Sequence, residues 1–72
     1  MAGHLEKRSL SLAGHRTSVA LEPAFWRALE DAAAREGITL AALVRMIDAA
    51  RAGPSLPLAS ALRVHALAAR RG

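Results

Sequence analysis

The sequence predicts a mainly α-helical fold with one short strand near its N-terminal end. Residues 15–22 alternate polar and apolar side chains, which is the period of a half-buried strand. Residues 24–36 and 40–52 instead repeat apolar side chains every three or four positions, which is the period of a helix with one buried face. With 72 residues and no cysteine, the chain is one small domain, and we expect it to need a partner subunit for stability.

The predicted strand runs from His15 to Glu22 and has two different faces. β-Branched residues at its centre favour an extended backbone. One face carries the side chains expected to point into the core, Thr17, Val19 and Leu21. The opposite face carries the side chains expected to point outward, Arg16, Ser18 and Ala20.

A second alternating segment, KRSLSL, spans residues 7–12 and has Leu10 and Leu12 on one face. This segment could pair locally with the strand, but the link Ala13-Gly14 is awkwardly short for a hairpin. We interpret residues 1–14 as a basic N-terminal arm whose first six residues form a disordered lead-in. A lone strand cannot satisfy its own backbone N–H and C=O groups. We therefore expect the strand to pair with the same strand of a second copy across a two-fold axis, as an intermolecular two-stranded antiparallel ribbon.

Residues that start and stop helices mark the remaining elements. Pro23 suits the first turn of a helix over residues 24–36, and Gly37 suits the position just past its end. Thr39 is predicted to cap a second helix, which runs to about residue 52 and stops at Arg51-Ala52-Gly53-Pro54. Residues 15–53 then form the core, and residues 54–72 add a C-terminal helix over residues 58–70.

Charge and composition narrow the classes of function. The net charge of +4 is concentrated at the two ends of the chain, which suits a polyanion such as nucleic acid. The lack of cysteine and the wide spacing of the three histidines argue against a disulfide, a metal site or another cofactor. No nucleophile is arranged with an acid or base, so we do not expect an enzyme. No apolar run approaches the roughly 20 residues that span a bilayer and no signal peptide is evident, so we expect a cytoplasmic protein without a membrane partner.

The run RTSVALEPAFWRALEDAAAREGITLAALV, residues 16–44, resembles the ribbon-helix-helix superfamily of Arc- and MetJ-type DNA-binding proteins. The segments KRSLSLAGHRTSVALEPAFW and SALRV are similar to a bacterial subfamily of ribbon-helix-helix proteins that are predicted to bind DNA. The resemblance covers about residues 7–67 and implies a homodimer whose ribbon enters the major groove of double-stranded DNA.

The resemblance also implies roles for single residues. Arg16, Ser18 and Ala20 would contact base edges, and the backbone of Thr39, Leu40 and Ala41 would hold a DNA phosphate. We expect further phosphate contacts from Lys7 and Arg8. His15 is interpreted as a turn or packing residue, with a DNA phosphate contact as the alternative role. The residues predicted to form the dimer core are Thr17, Val19, Leu21, Phe25, Trp26, Leu29, Leu43, Val44 and Ile47.

These inferences lead to one main hypothesis and two alternatives. The main hypothesis is a sequence-specific DNA-binding homodimer, or a higher assembly of such dimers, that regulates transcription or serves as an antitoxin-like module. Because Ala20, Leu40 and Ala41 offer little to DNA, the first alternative is a scaffold dimer that has lost DNA binding and docks a protein partner around its third helix. Leu56, Val64 and Leu67 would form that docking surface. The second alternative is a basic ribbon, KRSLSLAGHR, that binds a small nucleotide.

Overall fold

The computed structural model describes residues 4–51 and 56–71. Strands β1 (Glu6–Leu12) and β2 (His15–Leu21) are followed by helices α1 (Pro23–Glu36), α2 (Leu40–Ala50) and α3 (Leu58–Arg71). The two strands form an antiparallel sheet, and the three helices pack on one face of it and against each other. Within the described ranges, every helix is too short or too polar to cross a lipid bilayer.

The prediction of a single strand without a partner in its own chain is wrong, because β1 pairs with β2. Glu6 lies opposite Leu21 at one end of the sheet, and Leu12 lies opposite His15 at the other. The fold is therefore a two-stranded sheet with three helices, and not a mainly α fold with one short strand. The predicted disordered segment is also too long, since it included Glu6; residues 1–3 lie outside the described part of the chain.

The turn between the strands explains why the hairpin forms. Ala13 and Gly14 both have positive φ angles, 50° and 84°. Positive φ at both central residues is the mark of the two-residue type I′ turn, whose twist matches that of two antiparallel strands. The link that we interpreted as awkwardly short is therefore one of the commonest hairpin connections.

The boundary between α1 and α2 follows the sequence signals closely. α1 begins at Pro23, and Gly37 after it adopts the left-handed conformation with φ 71° and donates its N–H to Ala34 O. Thr39 Oγ1 accepts a hydrogen bond of 3.0 Å from the N–H of Ala42, which confirms Thr39 as the N-cap of α2.

The end of α2 differs from its prediction by two residues. α2 ends at Ala50, and Arg51 after it has an extended backbone. The Arg51 guanidinium donates to Asp48 Oδ1 at 2.8 Å and to Leu56 O at 2.9 Å, so it ties α2 to the segment before α3. The predicted stop at residues 52–54 and the predicted boundary between residues 53 and 54 lie outside the described residues.

One hydrophobic core lies between the sheet and the helices of a single chain. Its fully buried large side chains are Leu21, Trp26, Leu29, Leu43, Val44 and Leu62. Buried alanines such as Ala28, Ala32 and Ala66 allow the helices to approach each other closely. α3 supplies Leu62 and Ala66 to this core, so the C-terminal helix is part of the same packed unit as the hairpin.

Candidate nucleic-acid interface

The outer face of the hairpin, defined here as Lys7, Ser9, Ser11, Arg16, Ser18 and Ala20, faces solvent. Five of these side chains are exposed and Ala20 is half-buried. The register joins them in three cross-strand pairs, which are Lys7 with Ala20, Ser9 with Ser18, and Ser11 with Arg16. The outer face therefore carries two cations, three hydroxyls and no carboxylate.

The dimensions of this face match the major groove of DNA. Its strands lie about 4.8 Å apart, and a two-stranded ribbon of this width fits a groove about 12 Å wide. Successive outward pairs along an antiparallel ribbon are about 6.8 Å apart, close to the rise of two base pairs. Three pairs therefore cover on the order of 14 Å, or about five base pairs.

The inner face of the hairpin is attached to α1 through Trp26. The indole is fully buried, and its Nε1–H donates to the backbone oxygen of Glu6 at 2.8 Å. The Arg8 guanidinium lies 4.8 Å from the centroid of the same ring. This contact orders β1 against α1 and leaves the opposite face of the sheet open.

Arg8 is neutralised by two carboxylates at this contact. Its guanidinium donates to Glu30 Oε2 at 2.7 Å and to Glu6 Oε2 at 2.6 Å. The hydrogen bonds to Glu30 and to Glu6 raise the pKa of Arg8 above its usual value. Arg8, one of the predicted phosphate contacts, therefore lies on the inner face of the sheet, with its charge already paired.

The other predicted DNA-contacting residues fall into two groups. The structure brings Lys7 together with Arg16, Ser18 and Ala20 on the outer face, while His15 is exposed at the tip of the hairpin beside the turn. A separate element holds the predicted phosphate site. There the hydroxyl of Thr39 is engaged by Ala42, and both Leu40 and Ala41 are half-buried.

Sequence reasoning missed two residues of the outer face, Ser9 and Ser11. The alternation of residues 7–12 was the signal that could have found them, because it assigns both serines to the side opposite Leu10 and Leu12. We gave local pairing of this segment second place because the Ala13-Gly14 link was interpreted as awkwardly short for a hairpin.

The residues predicted for the dimer core lie in the core of one chain. Two of them are half-buried, Thr17 and Phe25, and the rest are buried, Val19, Leu21, Trp26, Leu29, Leu43, Val44 and Ile47. These residues belong to β2, α1 and α2, and they are buried within a single subunit, where α3 also packs against them.

The described part of the chain contains no candidate metal-binding site. There, no three His, Cys, Asp or Glu side chains lie close enough to hold a metal ion. The described histidines are also dispersed, since His4 precedes β1, His15 lies at the tip of the hairpin and His65 lies on α3.

Comparison with known protein families identifies the family to which this hairpin and its three helices belong. The family model of the ribbon-helix-helix domain matches residues 5–69 of the chain. The chain belongs to the ribbon-helix-helix family. This family generally binds DNA as dimers in transcription regulation, and its domain is a non-enzymatic DNA-binding fold. No curated protein and no solved structure matches the chain.

Proposed function

We propose that this ribbon-helix-helix protein is a sequence-specific DNA-binding homodimer that regulates transcription in the bacterial cytoplasm. In this proposal the outer face of the hairpin lies in the major groove. The observation that carries it is an exposed two-stranded ribbon with two cations, three hydroxyls and no carboxylate. Such a surface matches the polyanionic backbone and the hydrogen-bonding base edges of DNA.

The chemistry of the outer face assigns a role to each strand. Arg16 has no ion pair with any described residue, so its guanidinium is available for a bidentate contact to guanine. Ser18 on β2 and Ser9 opposite it on β1 can each donate or accept a hydrogen bond at a base edge. Ala20 offers only a methyl contact, which suits thymine.

Phosphate contacts complete the proposed interface. Lys7 and His15 lie towards the two ends of the hairpin, where side chains reach the backbone of DNA rather than the bases. The N–H groups of Leu40 and Ala41 in the first turn of α2 suit a further phosphate. Arg8 is not part of this proposal, because Glu6 and Glu30 already neutralise it.

Each subunit brings its own ribbon in this proposal. If two β2 edges paired, the sheet would have four strands and measure about 14 Å between its outer strands. That is wider than the major groove, which is about 12 Å across. We therefore propose that a homodimer places two hairpins in two successive major-groove segments, about one helical turn apart.

Selection of bound sequences from a random duplex library tests this function. We expect two half-sites of about five base pairs each, with a preferred guanine that depends on Arg16. Arg16→Ala should lower the affinity for the selected site by about 5- to 150-fold and relax the preference for that guanine. The matched control is Arg35→Ala, which removes an exposed arginine from α1 and should preserve the preference.

Two results would contradict the proposed function. One is the absence of binding to any duplex at low salt, where phosphate contacts are strongest. The other is an equal loss of affinity in Arg16→Ala and Arg35→Ala without any change in sequence preference.

The two alternatives differ in their support. The scaffold is supported by Val64 and Leu67, which are 62% and 54% exposed on α3. The scaffold hypothesis would be favoured if the protein captured one specific partner and a substitution of Leu67 abolished this capture, whereas a substitution of Arg16 left it unchanged. The hypothesis of a nucleotide site assumed that three cations lie together. Arg8 lies on the opposite face of the sheet from Lys7 and Arg16, so the three cations do not converge.

A further inference from the structure

A hollow with a volume of about 260 Å³ lies between one side of α1 and the last turn of α3. Two alanines, three arginines and one aspartate line it, namely Ala24, Ala28, Arg27, Arg35, Arg70 and Asp31. The residues from α1 are mostly three or four positions apart, so they share one side of that helix. The small alanine side chains leave the space that the longer charged side chains surround.

The three arginines of the hollow form no ion pair with any described residue. Every ion pair among the described residues uses an arginine from elsewhere in the chain. Asp31 lies four residues from both Arg27 and Arg35, but ion pairs on an exposed helix surface are weak, and Asp31 forms none here. The guanidinium groups around the hollow are therefore available to a ligand.

The charge of the lining matches that of a phosphate monoester. Three arginines and one aspartate give the lining a net charge of +2, and a phosphate monoester carries about −1.5 to −2 at pH 7. A planar guanidinium group donates two parallel N–H bonds to phosphate oxygens. Each phosphodiester of DNA carries only one negative charge, which leaves part of the lining's charge unbalanced.

Asp31 narrows the chemistry of the ligand further. An ionised carboxylate only accepts hydrogen bonds and repels an anion, so it favours a ligand with a hydroxyl or amino group beside its phosphate. The hollow is also slightly smaller than the roughly 300–1,000 Å³ of sites for drug-sized molecules, so the ligand is small. A sugar phosphate has both properties, whereas inorganic phosphate offers Asp31 much less.

We infer that this hollow binds a small phosphate monoester, whose phosphate contacts the arginines while a hydroxyl of the same ligand donates to Asp31. The lining residues all belong to α1 and α3. Trp26 and Glu30, the residues of α1 that contact β1, lie outside the hollow. The site is therefore separate from the outer face of the hairpin, and the inference does not depend on the proposed function.

An NMR titration of the ¹⁵N-labelled full chain tests the inference in a phosphate-free buffer of low ionic strength. The probes are ribose 5-phosphate, inorganic phosphate and ribose. We expect ribose 5-phosphate to bind with a Kd below about 1 mM and to shift the amide signals of residues 24–35 and of the end of α3. Inorganic phosphate should bind more weakly, and ribose should leave the spectrum unchanged.

Substitutions of exposed residues test the role of each charge. Arg27→Ala and Arg70→Ala should each raise the Kd for ribose 5-phosphate by about 10-fold, because each removes a charge-assisted hydrogen bond. The matched control is Arg45→Ala, which removes an exposed arginine of α2 outside the hollow and should change this Kd by less than about 2-fold. Asp31→Ala should strengthen the binding of inorganic phosphate and abolish the advantage of ribose 5-phosphate. Circular dichroism at 222 nm checks that each variant keeps its helices.

Four results would overturn the inference. The first is a Kd for ribose 5-phosphate above about 10 mM, and the second is an equal affinity of the wild type for inorganic phosphate and ribose 5-phosphate. The third is an equal loss of affinity in Arg27→Ala and Arg45→Ala, which would indicate a general attraction to a cationic protein. The fourth is a set of shifted amides confined to the hairpin, which would place the phosphate on the outer face. No DNA is present, so a failure of the proposed function would be seen separately.

Discussion

Two neighbouring cations of β1 should have opposite roles, because the sheet directs them to opposite faces. Lys7 belongs to the outer face, whereas Arg8 contacts Trp26, Glu6 and Glu30 on the inner face. Lys7→Ala and Arg8→Ala each remove one positive charge, and the two substituted positions are adjacent in the same strand. We expect Arg8→Ala to lower stability and Lys7→Ala to weaken DNA binding.

The cost of Arg8→Ala follows from the contacts that it removes. The cation–π contact with Trp26, 4.8 Å from guanidinium to ring centroid, contributes about 0.5–1 kcal/mol. The ion pairs with Glu6 and Glu30 are partly exposed, and pairs of this kind contribute about 0.2–1 kcal/mol each. The free energy of unfolding should therefore fall by roughly 1–3 kcal/mol, which lowers Tm by roughly 4–24 °C in a domain of this size. Lys7→Ala should change the free energy of unfolding by less than about 0.5 kcal/mol.

Thermal melting and salt titration of DNA binding measure the two effects separately. Binding is compared at a temperature at which both variants are folded. Lys7→Ala should reduce the slope of log affinity against log salt by about 1 and weaken binding to all duplexes alike. Arg8→Ala should leave that slope unchanged. The assignment of Arg8 to a structural role is wrong if Arg8→Ala has the same Tm as the wild type and reduces the salt slope of DNA binding as much as Lys7→Ala does.

Three further substitutions test the fold by urea denaturation followed at 222 nm. Ala13→Asn should raise the free energy of unfolding by about 0.5–1 kcal/mol, because asparagine tolerates the positive φ of this turn position better than alanine does; a decrease would argue against the type I′ hairpin. Leu43→Ala should lower it by about 2–5 kcal/mol, because the side chain is only 1% exposed and its removal leaves a cavity; an unchanged midpoint would place Leu43 outside the core. Thr39→Ala should lower it by about 0.5–2 kcal/mol through loss of the bond to the Ala42 N–H, and Thr39→Ser should restore it; equal stability of the two variants would exclude the cap.

The helices were predictable because the residues that begin and end them act locally. Gly37 adopts the left-handed conformation after α1, and Thr39 caps α2, as each residue type does in many proteins. The two faces of β2 were predictable for a similar reason, since alternate residues of any strand point to opposite sides. These signals need no knowledge of which other segment lies nearby.

The candidate site was only partly predictable. Arg16 and Ser18 follow from the alternation of β2, but Ser9 and Ser11 depend on β1 being its neighbour. The assignment of Arg8 to a phosphate overlooked its parity with Leu10 and Leu12, which already placed it on the inner face. Its long aliphatic stem and planar head allow it to cover Trp26 while its charge is satisfied by carboxylates.

The sequence by itself determined where β2 and α1 lie, where α2 begins, and which side chains of each element share a face. The tertiary structure alone decided what β2 pairs with. Backbone N–H and C=O groups are the same in every residue, so the edge of β2 accepts β1 or a second copy equally well by chemistry. The choice depends on a turn with two positive φ angles and on the bond from Trp26 to Glu6 that docks β1 on α1. Both are properties of the folded chain, because each depends on where the neighbouring segments come to lie.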